Sequence, residues 1–458
     1  MKPTYEMPRR PGARMSRRAF LRLAGAAAAG GTLAACGVAP APEARMDNGN
    51  GGRIQLVYQD WRTAWFPEMA QRLLAEFHAS HPNIRVFYTP DPENLVEQMP
   101  VDMEAGTAPD VLSGCCEWLP AWAQQGYLLD LKPYADADLD RATIDEWDPA
   151  QYRSFFTPDG RQFALPKYHG ALALYYNKDL FDRQGVAYPD GSWTHDDYLD
   201  AMRLLTSVHP RTGEVERWGS MLDVAWDRLQ VHVNAWGGHF VNPADSRISM
   251  MDRPESLAAM EWIRARMWDD QVMANFLAVG NLETRQAFIE ERIAMVEDGS
   301  WALKDILVES DFGVGVAPMP AGPVRRATLA TTDGFSVYAG TEHPDAAWEL
   351  VKFLTSREYG LAMARANFLQ PARASLVGEW ASIIREELPA RAEGVDLDAF
   401  ADGHLNGYSV TAEVFWRQPP ATELAAAAWE QIFTLGQMPT EHMVTVSEQI
   451  EAAQAGSE

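Results

Sequence analysis

The chain has 458 residues, with 39 basic against 64 acidic side chains, a net charge of −25 and three cysteines. That acidity excludes nucleic acid and anionic lipid surfaces as partners, because both need a basic footprint. Three cysteines with no CxxC spacing exclude a disulfide framework, and the length exceeds one ordinary core, so two lobes are expected.

In chain order, Ser16-Arg17-Arg18-Ala19-Phe20-Leu21 leads into an apolar run from Leu23 to Ala35 that stops at Cys36. As a helix the run is roughly 20 Å long, short of the ~30 Å hydrocarbon core. A basic start, a short apolar stretch and small residues at its end describe a cleavable export signal. The Arg17-Arg18 order resembles a twin-arginine signal. Leu33-Ala34-Ala35-Cys36 resembles a bacterial lipobox, which implies lipidation of Cys36 and cleavage before it; the alternative is a plain soluble signal with a chance cysteine. Residues 1–35 are therefore read as signal, and 36–52, rich in Gly, Pro and Asn, as a lipidated cysteine on a flexible tether. Removing 1–35 leaves the remainder more acidic still, since that segment is basic.

A strand is expected from Arg53 to Asp60, then a helix over 66–79 with Phe66, Met69, Leu73, Leu74 and Phe77 at helical spacing. A second strand follows at Ile84–Thr89, a helix broken by Pro100 at 93–104, and a third strand at Asp110–Ser113. This β-helix-β-helix-β order predicts a parallel sheet with crossover helices. Strands are read at 162–165, 171–176, 312–317 and 335–338. Thr194 caps a helix with Asp197 three residues on. Pro254 and Pro344 start two more helices, the second ending at Gly360. The pattern from Thr422 onward is helical. Cys115 and Cys116 are adjacent, so either a bridge between neighbours or two buried free thiols is open. Strands at both ends of a helix-rich middle predict lobes that are each discontinuous in sequence.

Several segments then resemble one family. Ala105-Gly-Thr-Ala-Pro-Asp-Val-Leu112 resembles its "A-G-x-x-P-D-V", and Leu165-Pro-Lys-Tyr-His-Gly-Ala-Leu-Ala-Leu-Tyr-Tyr-Asn-Lys-Asp-Leu-Phe181 its "L-P…L-Y-Y-N-K-D-L-F", the most specific match. Gly191-Ser-Trp-Thr194, Ala287 to Trp301 and Ala346 to Ser356 resemble three further motifs. The chain from about Arg53 to Glu441 is thus similar to the extracellular solute-binding proteins of ABC importers, family 1, the maltose-binding-protein-like sugar binders. Departures are Arg292-Ile293, Asp298-Gly299 and Asp333-Gly334, which bear on the pocket more than on the fold. The resemblance implies an α/β, two-lobe periplasmic-binding-protein fold of type II. Each lobe is a mostly parallel sheet flanked by helices, with 53–168 and 326–372 in the first lobe and 169–325 and 373–458 in the second. It implies no enzyme and no cofactor. It also implies a small-molecule partner, a sugar, passed to ABC permease subunits by a monomer held to the membrane only by its lipid.

A sugar presents apolar C–H faces to aromatic plates and a hydroxyl rim to carboxylates and amides. Ligands of α/β sheets bind beyond the carboxyl ends of strands. The candidates are Asp60 and Trp61 after the first strand, and Glu117 and Trp118 after the third. Tyr168 and His169 sit at the crossover, Trp236 after a helix, Trp301 after Asp298-Gly299-Ser300, Asp333 and Phe335 at a late strand, and Trp416 near the C-terminus. Each has a packing alternative: Trp118 faces Leu119 and Trp122, His169 suits a core, and Phe335 suits a strand interior. Trp226 is a weaker candidate, able to pack within its own helix. A glycosidase would need two marked carboxylates, and none stands out among many; HExxH, GxSxG and Walker motifs are missing, and the ten histidines show no metal-ligand spacing. Polyamine, peptide or glycerol phosphate remain open as alternative solutes, as does use of the fold as an adhesin or sensor.

Overall fold

The computed structural model describes residues 53–116 and 118–455. Arg17, Arg18, Cys36 and Glu117 lie outside the described residues, which all belong to one unit, Gly52–Glu458. Two sheets carry the fold. Their strands in chain order are β1 (Ile54–Asp60), β2 (Ile84–Pro90), β3 (Val111–Gly114), β4 (Leu165–Pro166), β5 (Leu172–Asn177), β6 (Val215–Met221), β7 (Met273–Ala274), β8 (Ile293–Gly299), β9 (Val314–Ala317) and β10 (Gly334–Val337).

The first sheet has the order β2-β1-β3-β10-β4 and the second β7-β6-β8-β5-β9, with Ser207–Val208 added beside β6. In the first, β1 runs parallel to β2 and β3, and β10 is antiparallel to both β3 and β4. In the second, β6 runs parallel to β7 and β8, and β5 is antiparallel to both β8 and β9. Each five-strand path therefore has four strands pointing one way and one reversed, always in fourth place. The reversed strand of each sheet is supplied from the other side of the chain: β10 comes late to the first sheet, and β5 comes early to the second.

Local sequence explains these elements. β5, β8 and β9 are buried at every residue, as strands covered on both faces must be. The helix Phe66–Ser80 buries Phe66, Met69, Leu73 and Phe77 on one face against the first sheet. Thr194 closes a reciprocal capping box with Asp197 at the helix His195–Leu205.

Two expectations are corrected. The helix Leu95–Ala105 runs through Pro100 without a break; burial of Met99 and Met103 overrides the lost hydrogen bond. The helix from Pro344 ends at Leu354, because Ser356 caps a new helix, Arg357–Asn367. Gly360 lies inside that second helix, where a Cβ would come within 3.3 Å of Pro371. Of the two alternatives open for Cys115 and Cys116, the structure has the disulfide, with both residues half-buried.

The described chain passes between the sheets three times: from β4 to β5, from Leu329 to β10, and over 368–373. These segments hydrogen-bond side by side. His169 N donates to Gln370 O (3.0 Å), Thr331 N to Gly170 O (2.8 Å) and Lys167 N to Asp333 O (3.0 Å). Because the first crossover leaves the carboxyl end of β4 and enters the reversed strand β5, it joins the carboxyl edges of both sheets.

Gly170 sits where these segments press hardest: a Cβ there would lie 2.6 Å from Thr331 Oγ1 and 2.9 Å from the Trp301 ring. Gly170→Ala should cost about 1–3 kcal/mol through overpacking, read as a lower urea midpoint. An unchanged midpoint would mean that the crossover yields freely.

Candidate functional site

The carboxyl edge of the first sheet gathers Asp60 at the end of β1, Ser113 in β3, Lys167 after β4 and Asp333 before β10. Lys167 is fully buried. Its Nζ pairs with Asp60, donates to Ser113 Oγ at 3.0 Å, and lies 3.2 Å from the centre of the Trp61 ring. Asp60 also accepts from the Tyr58 hydroxyl and from Trp61 N. Tyr168 packs its ring on Trp61 at 5.6 Å, edge to face, and burial with the nearby Asp333 charge raises its hydroxyl well above the ordinary value.

One ammonium thus serves several carboxylates. Burial pushes Asp333 up to about 6, against the pull of Lys167 and the hydrogen bond from Thr331. Burial and the Asp60 charge likewise raise Asp91 to about 6. Burial lowers Lys167 from its ordinary value, with Asp60 opposing. An ionised carboxyl offers only acceptors, which suits the donating hydroxyls of a polyol ligand.

The carboxyl edge of the second sheet carries Trp301, in the turn Ser300–Ala302 just after β8. Its ring covers Gly299, whose Cβ would stand 2.2 Å from the indole, so only glycine fits there. The Arg228 guanidinium lies 4.8 Å from the ring centre, a cation–π distance. Arg285 holds Asp298 at 3.0 Å and Asp305 at 2.8 Å. A cavity of about 480 Å³ opens beside Trp301, lined by Asp223, Arg228, Arg285 and Asp298. A second, about 250 Å³, is walled by both edges: Cys116 and Thr332 from one, Trp226 and Asp227 from the other.

The structure brings Asp60, Trp61, Tyr168 and Asp333 into one cluster, with Trp301 across the crossover from them. Asp60, Tyr168 and Asp333 are buried and Trp61 and Trp301 half-buried. Trp118 opens the helix Trp118–Gln124 directly after the disulfide and packs with Leu119 and Trp122. The other candidates lie elsewhere. Phe335 is fully buried inside β10 between Tyr58 and Tyr359, a core position. Trp236 packs on His195 and Trp262 at the far end of the helix Trp226–Ala235, roughly 15 Å along the axis from its start. Trp226, at that start, lines the shared cavity in its place. Trp416 is exposed, with Arg247 at 5.5 Å, in a separate cavity of about 840 Å³ lined also by Arg153 and Glu413. His169 is buried against Asp148 and His404.

Lys167, Ser113, Arg228 and Thr331 were not singled out from sequence. Lys167 stands inside the most specific motif, and its charge within an otherwise apolar strand end was the available signal. Ser113, Arg228 and Thr331 carry no local signal.

The raised Asp333 carboxyl has a stability signature. Its folded value lies above its unfolded one, so its contribution is full below the ordinary carboxylate range and is lost as pH rises through about 6. Asp333→Asn removes that dependence. From about pH 4 to about pH 7.5, the variant should gain roughly 1–3 kcal/mol relative to wild type, measured by urea unfolding. Parallel pH profiles of the two proteins would show that Asp333 ionises freely in the fold.

Residues 61–360 match the family of bacterial extracellular solute-binding proteins. A Brucella abortus protein named as a binding protein is 25% identical over 335 residues, covering 71% of this chain and 76% of its own. The maltotriose-binding protein of Pyrococcus abyssi is 22% identical over 306 residues, covering 63% of this chain and 60% of its own. Among solved structures, an ABC substrate-binding protein of Listeria monocytogenes in complex with cycloalternan superposes with a TM-score of 0.74 at 21% identity, over 88% of this chain and 100% of that one. The two-lobe architecture, the facing carboxyl edges and a match over most of the chain agree: the protein belongs to the bacterial extracellular solute-binding protein family.

Proposed function

We propose that this protein is the substrate-capture component of an ABC importer and that it takes a carbohydrate, a mono- or oligosaccharide, between its two carboxyl edges. The observation that carries the reading is the gathering of aromatic rings and buried carboxyls at the crossover: Trp61, Asp60 and Asp333 on one edge, Trp301 on the other. Similarity to proteins named for maltotriose and cycloalternan supports it. In this reading the lobes are 53–168 with 326–372 and 169–325 with 373–458. The ligand contacts both, so its binding free energy favours the closed arrangement. The closed form docks as a monomer on the permease subunits. Residues 1–35 direct export, and Cys36 carries the lipid that holds the protein at the outer face of the cell membrane. No helix among the described residues is long and apolar enough to cross a membrane.

A second reading keeps the fold and changes the solute to a cation-bearing one, such as a polyamine or a choline ester. The first edge is acidic, and Trp61 already has an ammonium against its face. A Mycobacterium tuberculosis protein solved with glycerophosphocholine superposes with a TM-score of 0.71 at 16% identity, over 88% of this chain and 98% of that one.

A thermal-shift screen of sugars, polyols, polyamines and glycerophosphodiesters separates the two. A ligand at about 100 times its Kd adds about 2.7 kcal/mol. A sugar response supports the first reading, and a response from amines or phosphodiesters alone supports the second. For the responding ligand, Trp301→Ala should weaken binding roughly tenfold, about 1.4 kcal/mol; unchanged affinity removes Trp301 from the site. Cys36→Ser should release the protein from the membrane fraction, and retention there would refute the lipid anchor.

A further inference from the structure

Beside the first crossover, three side chains from distant parts of the chain converge. Asp148 caps the helix Pro149–Ser154, His169 lies in the first crossover, and His404 lies on the short helix Asp402–Asn406, beyond the third crossover. One donor atom from each falls within 4.8 Å of the other two. We propose that Asp148, His169 and His404 form a binding site for one divalent transition-metal ion of the zinc class.

The spacing argues for shared coordination. Asp148 Oδ2 and His169 Nε2 stand 3.4 Å apart, with both side chains 1% exposed. A charge-assisted hydrogen bond between such groups closes to about 2.7–2.9 Å. Two donors each about 2.05 Å from one tetrahedral ion sit about 3.3 Å apart, close to the separation observed.

The donor set fits the ion. Two imidazoles and one carboxylate are first-row transition-metal ligands, and three protein ligands leave a fourth position for water. The carboxylate is already oriented: Asp148 Oδ1 accepts from Ala150 N at 2.7 Å and Gln151 N at 3.1 Å, leaving Oδ2 to face the histidines. His404 is only half-buried, which gives an ion a way in. An ion held there ties the segment after the third crossover to the first crossover and to the helix at Pro149.

The test is a cobalt titration of the purified, tag-free protein after chelator treatment. The expected result is one equivalent of Co²⁺ per chain, with the visible ligand-field absorption of a four-coordinate site, displaced by Zn²⁺. His404→Ala should abolish that absorption while keeping the far-UV circular dichroism of wild type. Zn²⁺ should raise the melting temperature of wild type and of His81→Ala, a histidine elsewhere on the protein, but not that of His404→Ala. His404→Asn, retaining a polar group of similar reach, checks that the loss is one of coordination and should behave as His404→Ala. A wild-type titration without the visible band overturns the proposal, and so does a band of equal strength in His404→Ala.

Discussion

A single buried cation organises the first lobe's working edge. Lys167 Nζ is out of contact with water, paired to a buried Asp60, hydrogen-bonded to Ser113 and seated on the face of Trp61. Burying both charges is costly, and the pair is tolerated only because each remaining donor and acceptor finds a partner. Those partners come from the end of β1 and from β3, so one ammonium in the first crossover fixes how three chain segments meet. It also sets the charge balance left for Asp333 and Asp91, and with it the acid character of the edge.

The two sheets repeat one plan, with four strands aligned and the fourth place reversed. The repeat explains why a cleft exists. A strand reversed in its own sheet starts at that sheet's carboxyl edge. A crossover into it must therefore begin and end at carboxyl edges, and the two carboxyl rims are brought together by connectivity alone. Hydrogen bonds between crossovers then tie the segments into one narrow ribbon.

Much of this was legible in the chain. Helix periodicity found Phe66–Ser80 and His195–Leu205, and the motif from Leu165 to Phe181 located the crossover. What failed did so for a physical reason. Pro100 should break a helix by local rules, and buried methionines hold it together. Phe335 and Trp236 look like ligand aromatics because composition does not say which face of a strand or which end of a helix points to the rim. Ser113 and Thr331 are ordinary residues whose importance comes only from being brought near Lys167 and Gly170. The Asp148, His169 and His404 cluster was invisible for the same reason: its members have no spacing to detect, since the fold alone makes them neighbours.

The Cys115–Cys116 bridge joins sequence neighbours. Crosslinks usually stabilise by shortening the loops available to an unfolded chain. A bond between sequence neighbours encloses no loop, so it confers almost none of that benefit. It stiffens a single turn at the end of β3 and presents two sulfurs as one small, polarizable knob, with Cys116 on the wall of the shared cavity. A thiol-reducing compartment would leave the fold standing yet soften that wall, so the texture of the rim is coupled to the oxidation state of the surroundings.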